Sequence, residues 1–157
     1  LFRQKKQSTK LNISVIRQHP EIDICEYQNL KNGKDFKKED GSNIQNTELT
    51  LDPPQPLSYA YCSDTAYSEK IIPIIEKADL LYHESTFLEA HKDLAKKTKH
   101  STALEAGRIA EKAKVKKLLL GHYSSRYEKL ALFLEEAQSV FKNVALAEAG
   151  KEITIEH

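Results

Sequence analysis

Asp64, His83, Glu84, His100 and His122 are the side chains best suited to hold a metal ion or move a proton, and their placement is not random. Tyr59-Ala60-Tyr61-Cys62-Ser63-Asp64-Thr65 and Leu118-Leu119-Leu120-Gly121-His122 are short apolar runs that stop abruptly at a possible metal ligand. A carboxylate such as Asp64 has two oxygens and can bridge two cations, although Ser63-Asp64-Thr65 is equally a turn whose side chains satisfy backbone donors. The neutral imidazole of His122 suits zinc, and His122 is equally an ordinary residue at a strand end. A catalytic zinc takes three protein ligands plus water, and a two-metal site takes more, so Asp64 and His122 alone complete neither. His83-Glu84 reads either as a polar pair buried at a sheet end or as a carboxylate fixing the tautomer of a catalytic histidine. His100 reads either as a flanking residue of the helix that follows or as a group on the same rim as Asp64 and His122. Arg126, with Ser124 close by, could hold a phosphate through a bidentate pair or make a surface salt bridge. Lys92, Lys96, Lys97 and Lys99 read as the solvated face of a helix.

The elements that must position these groups are legible from periodicity. Ser58 to Cys62, Leu80 to His83, and Val115 with Leu118 to Leu120 have the composition of buried strands. Between them, Ser68 can cap a helix through Ile71, Ile72, Ile74, Ile75 and Ala78, with Pro73 in its first turn or kinking it. Phe87, Leu88, His91, Leu94 and Ala95 recur at helical spacing. Thr102 and Glu105 form a capping box for a helix in which Gly107 permits close packing on a sheet. A further helix spans about 128–141, and Val144 to Ala147 with Ile153 to Ile155 read as a closing pair of strands. Strand–helix alternation over 57–121 predicts an α/β domain with a largely parallel sheet and helices over a face. In that arrangement Asp64, His83-Glu84 and His122 emerge together at the carboxyl edge, where open α/β sheets bind ligands.

Residues 1–56 read differently. Leu11, Ile13, Val15 and Ile16 predict a short helix ending before Pro20, and Ile22, Ile24 and Tyr27 a brief strand. Turns follow at Asn32-Gly33 and Asp40-Gly41, and Asp52-Pro53-Pro54-Gln55-Pro56 closes the segment as a stiff linker. The segment reads as a weakly cored arm, and Leu1-Phe2-Arg3 as the tail of a strand whose natural beginning lies upstream.

At 157 residues the chain has the length of one domain, and its 39% hydrophobic and 30% charged residues suit a soluble globular protein. No apolar run is long enough to cross a bilayer, and no signal-peptide pattern opens the chain. Cys25 and Cys62 make no CxxC and no disulfide framework, which fits a reducing cytoplasm. The net charge of +1 gives no global pull on nucleic acid, yet residues 1–38 carry nine basic groups against four acids, leaving −4 for the remainder. That asymmetry fits either a polyanion-binding segment or a chance bias of the surface.

Taken together and in this order, Ser63-Asp64-Thr65, His83-Glu84-Ser85-Thr86-Phe87, His100-Ser101-Thr102 and Gly121-His122-Tyr123-Ser124-Ser125-Arg126-Tyr127 resemble the C-terminal half of ribonuclease Z. That family comprises the tRNA 3′-processing endonucleases of the metallo-β-lactamase superfamily. The resemblance covers about residues 57–155. It implies a metallo-β-lactamase-like αββα sandwich, of which 57–157 supply only the C-terminal βα half and 1–56 a tRNA-gripping arm. The arm matches more loosely, because Glu21-Ile22-Asp23-Ile24-Cys25-Glu26 stands where the family has a Gly/Pro-rich tip.

The same resemblance implies roles. Asp64 is the carboxylate bridging two zinc ions and His122 completes the second zinc. His100 protonates the leaving ribose 3′ oxygen while Glu84 holds it, and Arg126 lies near the scissile phosphate with Ser124 assisting. The reaction implied is in-line attack on the phosphodiester after the discriminator nucleotide of precursor tRNA, by a homodimer when complete, with no membrane partner. The family's His-x-His-x-Asp-His motif is absent from these 157 residues, so the chain alone is expected to bind zinc poorly and to cut nothing. Two alternatives stand beside this reading: a related phosphodiesterase of small esters, and a tRNA-binding or dimer-forming fragment without turnover.

Overall fold

The computed structural model describes residues 1–156 and divides into two compact units, residues 1–4 with 57–156, and residues 5–56. The larger unit is built on a five-stranded sheet, β1 (Phe2–Arg3), β2 (Ser58–Cys62), β3 (Leu80–Glu84), β4 (Lys117–Gly121) and β5 (Val144–Leu146), in that spatial order. Only β1 runs antiparallel to its neighbour, with Phe2 opposite Tyr59; β2 to β5 are parallel, with Cys62 opposite His83 and Glu84 opposite Gly121. Parallel neighbours need crossover connections, and these carry α1 (Ile72–Ile75), α2 (Lys92–Thr98), α3 (Ala103–Lys112) and α4 (Ala131–Gln138).

Side chains of a strand alternate between its two faces. Ala60, Leu81, Leu118 and Leu120 point to one face and share a buried core with Ile75, Ala106, Ile109, Ala110, Phe133 and Ala137. The opposite face carries an aromatic row: Tyr59 stacks on Phe2 at 6.1 Å, and Tyr61, 54% exposed, stacks on Tyr82 at 4.7 Å. Helices therefore cover one side of the sheet, as the alternation of strand and helix patterns predicted.

Local corrections have physical causes. The predicted helix after Ser68 is a 3-10 turn, Glu69–Ile71, running into α1, and the Ser68 side chain makes no cap. Gly107 does permit close packing, but against α4 rather than the sheet: a Cβ there would lie 2.7 Å from Val140 Cγ2 and 3.0 Å from the Ala137 carbonyl oxygen. Val144–Leu146 pairs with β4, whereas residues 153–155 form no strand. The capping box is present as expected: the Thr102 hydroxyl accepts from Glu105 N at 3.1 Å and the Glu105 carboxylate from Thr102 N at 3.1 Å.

The unit 5–56 has a core of its own, in which Ile16, Ile22, Leu30, Phe36, Ile44 and Leu49 are buried. The helix expected near Val15 is Ile13–Ile16. The strand expected over Ile22 to Tyr27 is instead a 3-10 turn, Ile24–Glu26, leading into a helix, Tyr27–Lys31. Asp23 explains the difference, since its carboxylate accepts from Ile24 N at 2.5 Å and caps the turn. Phe36–Lys37 and Asn43–Ile44 pair antiparallel across the Asp40-Gly41 turn.

Candidate active site

Three strand ends and one helix start meet at the carboxyl edge of the sheet. β2 and β4 both leave it through a left-handed residue, Asp64 with φ 48° and His122 with φ 60°. A non-glycine residue held there costs about 1–3 kcal/mol, a cost typically retained at functional sites. Gly121 lets the Tyr82 side chain lie across the end of β4, because a Cβ at 121 would collide with its ring. His100 is delivered differently. Lys99, at φ 61°, ends α2, His100 N donates to the Ala95 carbonyl at 2.8 Å, and Ala103 N bonds the Phe87 carbonyl at 2.9 Å, laying 100–102 beside the chain leaving β3.

Glu84 lies fully buried at the centre. Its Oε1 accepts from Thr65 N at 2.9 Å and from His100 Nδ1 at 2.7 Å; its Oε2 accepts from Thr86 N at 3.1 Å, the Thr86 hydroxyl at 2.7 Å and Ser101 N at 3.2 Å. Burial pushes this carboxyl up, but the Thr86 hydroxyl, the His100 imidazole and the Ser101 and Thr86 amides outweigh it, and the group sits below its usual range. An ionised Glu84 thus ties together the chain following β2, the exit of β3 and the start of α3.

These bonds fix both histidines. Thr86 gives its hydroxyl proton to Glu84, so its oxygen is free to accept from His122 Nδ1 at 2.8 Å. That leaves His122 Nε2 with a lone pair, 3.1 Å from Asp64 Oδ1. Two lone pairs at such a distance repel unless a cation, proton or metal, lies between them, and imidazole nitrogen with carboxylate oxygen is a donor set zinc accepts. Glu84 likewise holds His100 Nδ1–H and leaves its Nε2 for other work. One ligand atom each from Asp64, His100 and His122 lie within 4.8 Å of one another, and the two imidazole rings are 5.3 Å apart. Asp64 and His122 are exposed and His100 is half-buried, so the cluster is reachable from solvent.

The structure therefore brings Asp64, Glu84, His100 and His122 into one network. His83 stands apart: it is fully buried, its Nδ1 bonds the Glu84 carbonyl at 2.7 Å, and burial pushes its pKa down. Arg126 and Ser124 form a neighbouring group. Arg126 Nε donates to Ser124 Oγ at 3.2 Å, its guanidinium lies 5.2 Å from the centre of the Phe87 ring, and Ser124 N bonds the Thr86 carbonyl at 3.1 Å. No hydrogen bond joins either residue to Asp64, His100 or His122 among the described residues. Sequence reading gave no role to Thr86, Thr65 or Tyr127. Thr86 sets the His122 tautomer, Thr65 N clamps Glu84, and Tyr127 anchors the Arg126 loop by accepting from Leu88 N at 3.1 Å. Only the adjacency of Thr86 to Glu84 was a signal, and a threonine after a buried acid has many uses.

The sheet, its helices and this edge cluster define one half of a metallo-β-lactamase fold. Solved structures agree: the metallo-β-lactamase fold protein YhfI of Bacillus subtilis matches with a TM-score of 0.56 and 34% identity over 59% of this chain and 38% of that one. A long-form RNase Z from yeast matches with a TM-score of 0.54 and 25% identity over 87% of this chain and 18% of that one. In sequence the chain is a relative of ribonuclease Z. It is 43% identical to "Ribonuclease Z" of Parabacteroides distasonis over 99% of its own length and 51% of that protein, and 47% identical to that of Porphyromonas gingivalis over 90% and 46%. The chain thus spans about half the length of the relatives it matches. No protein-family model matches it.

Proposed function

We propose that this chain supplies part of the active centre of a metal-dependent endoribonuclease that removes 3′ trailers from precursor tRNA. Its relatives named ribonuclease Z support the activity. The observation that carries the site is the 3.1 Å approach of Asp64 to His122, beside a His100 clamped by Glu84. Asp64, through its carboxylate, and His122, through Nε2, would hold the zinc of this centre. When bound, the metals neutralise phosphate charge and activate the attacking water. His100 Nε2 gives a proton to the ribose 3′ oxygen as the phosphorus–oxygen bond breaks, leaving a 3′ hydroxyl on the tRNA and a 5′ phosphate on the trailer. Glu84 keeps that imidazole oriented through its Nδ1. Arg126 binds the phosphate flanking the cut, with Ser124 holding the guanidinium in place.

Asp64 and His122, even with His100 counted, do not make up the ligands of a two-metal centre, so the chain by itself does not turn over. The complete enzyme is a cytoplasmic homodimer, and residues 1–56 grip the tRNA body through the basic groups that residues 1–38 carry in excess. No helix among the described residues is long and apolar enough to cross a membrane. The test is cleavage of 3′-extended precursor tRNA by this chain combined with the complementary half of a relative. Cleavage should appear with both halves present and fall at least a hundredfold in Asp64→Ala and His100→Ala. Undiminished cleavage by Asp64→Ala would remove the metal assignment, and hydrolysis confined to small phosphodiesters would favour the small-ester enzyme instead.

A further inference from the structure

Beside the active centre, between the loop after β2, the outer turns of α2 and the start of α3, lies a cavity of about 210 Å³ lined by Ala66, Tyr67, Lys92, Lys96, His100 and Glu105. Clefts for drug-sized ligands run to ~300–1,000 Å³, so this smaller one has room for no more than the base and sugar of a single nucleotide. Its aromatic wall is fixed: the Tyr67 hydroxyl donates to Glu69 at 2.6 Å, and the ring packs against the main core. A rigid ring at a cavity wall provides the stacking platform on which single-stranded nucleic acids are held without regard to base identity. The two lysines differ. Lys92 is paired with Glu89 at 2.9 Å, whereas Lys96 has no carboxylate partner among the described residues. Glu105, part of the lining, sets its carboxylate against any second phosphate group, so the charge complement is one phosphate and not a polyphosphate. His100 closes one end, and the same imidazole belongs to the cluster with Asp64 and His122.

We infer that this cavity is the subsite for the nucleotide on the 5′ side of the cleaved bond, its base against Tyr67 and its 5′ phosphate on Lys96. The side follows from His100: if that imidazole protonates the departing ribose 3′ oxygen, the ribose carrying that oxygen sits at the His100 end of the cavity. In this respect the inference rests on the nuclease reading. It gives Lys96 a task that its neighbours on α2 do not share.

The test is a two-dimensional amide NMR titration of the 157-residue chain with adenosine 5′-monophosphate, whose free 3′ hydroxyl mimics the cleaved product. Saturable shifts are expected at Ala66, Tyr67, Lys96 and His100. Lys96→Glu, at an exposed helix position that leaves the fold intact, should weaken binding at least tenfold, while Lys97→Glu, with the same change in net charge, should weaken it less than threefold. Inorganic phosphate alone should not reproduce the Tyr67 shifts. Equal effects of the two variants, or shifts scattered over the lysines without Tyr67, would overturn the subsite. Its failure separates from that of the nuclease reading through the tRNA assay. Cleavage with a KM unaltered by Lys96→Glu refutes the subsite and leaves the nuclease standing. Saturable nucleotide binding in a protein that never cleaves tRNA with its complementary half refutes the nuclease and, with it, the 5′-side assignment.

Discussion

Replacing Glu84 by glutamine changes one atom and should unsettle the whole edge of the sheet. The carboxylate accepts five hydrogen bonds, two at Oε1 and three at Oε2. An amide nitrogen in the Oε2 position would face Thr86 N–H and Ser101 N–H, neither of which can turn away. Placed at Oε1 it faces His100, which can switch tautomer and accept, and Thr65 N–H, which cannot. The second orientation wins with one orphaned donor, worth about 1–3 kcal/mol, and the three bonds left at Oε2 fall from charge-assisted to neutral strength. Burying an amide in place of a carboxylate returns part of that loss. The net is a destabilisation of about 2–4 kcal/mol, a large share of the ~5–15 kcal/mol holding a typical domain together. Urea unfolding followed by circular dichroism should show a midpoint lower by about 1–2 M, taking m-values of about 1–3 kcal/mol/M. Nitrogen-15 NMR of the imidazoles should show His100 changing from the Nδ1–H to the Nε2–H tautomer. A loss below about 0.5 kcal/mol, the size of a neutral surface change, with His100 still protonated at Nδ1, would refute the account of Glu84 as the clamp.

Asp79 accepts from Ser58 N at 2.6 Å, the Ser58 hydroxyl at 2.7 Å and Lys116 Nζ at 2.7 Å, tying together the starts of β2, β3 and β4. Burial raises its pKa, but the Lys116 and Ser58 contacts outweigh burial and hold it below the usual value. A carboxyl depressed on folding stabilises above its unfolded pKa, near 4, and loses that contribution as pH falls through its folded pKa. Asp79→Asn should therefore cost about 1–2 kcal/mol at pH 7 and progressively less below pH ~4; a gap unchanged from pH 7 to 3 in denaturant titrations would contradict the assignment. Gly107→Ala gains about 1 kcal/mol of helix propensity but drives a methyl against Val140 and the Ala137 carbonyl, so overpacking of ~1–3 kcal/mol should win. A variant with a higher melting temperature would show that α4 yields freely. Deleting residues 8–38 from the protein assembled with its complementary half should weaken tRNA binding, with its steep salt dependence, more than hydrolysis of a small phosphodiester; equal losses would argue against a tRNA-gripping arm.

How far the sequence could be read depended on whether a signal was local. Parallel strands announce themselves as short apolar runs, so β2, β3 and β4, and hence the shared edge of Asp64, Glu84 and His122, were visible in advance. The capping box at Thr102 and Glu105 is a four-residue pattern and was visible too. Contacts between distant residues were not. Gly107 could be recognised as a point of close approach, but only the fold brings Val140 to it. The Asp23 cap that turns Ile24–Tyr27 into helix competes with an alternating apolar pattern of similar strength, and the side-chain bond won. The pairing of Glu84 with His100 came from the family resemblance. The part of Thr86, one hydroxyl orienting two other side chains, depends on residues brought together only by the fold.

The central claim is that His122, tied at Nδ1 by Thr86, offers Nε2 beside Asp64 to a common cation. Zinc titration of the chain, followed by nitrogen-15 NMR of its six histidines, tests it most directly. The account predicts weak, saturable binding that shifts His122 Nε2 first, leaves His19 and His91 unmoved, and is lost in Asp64→Asn. Zinc binding that survives Asp64→Asn, or that settles at His19 or His91, would contradict it.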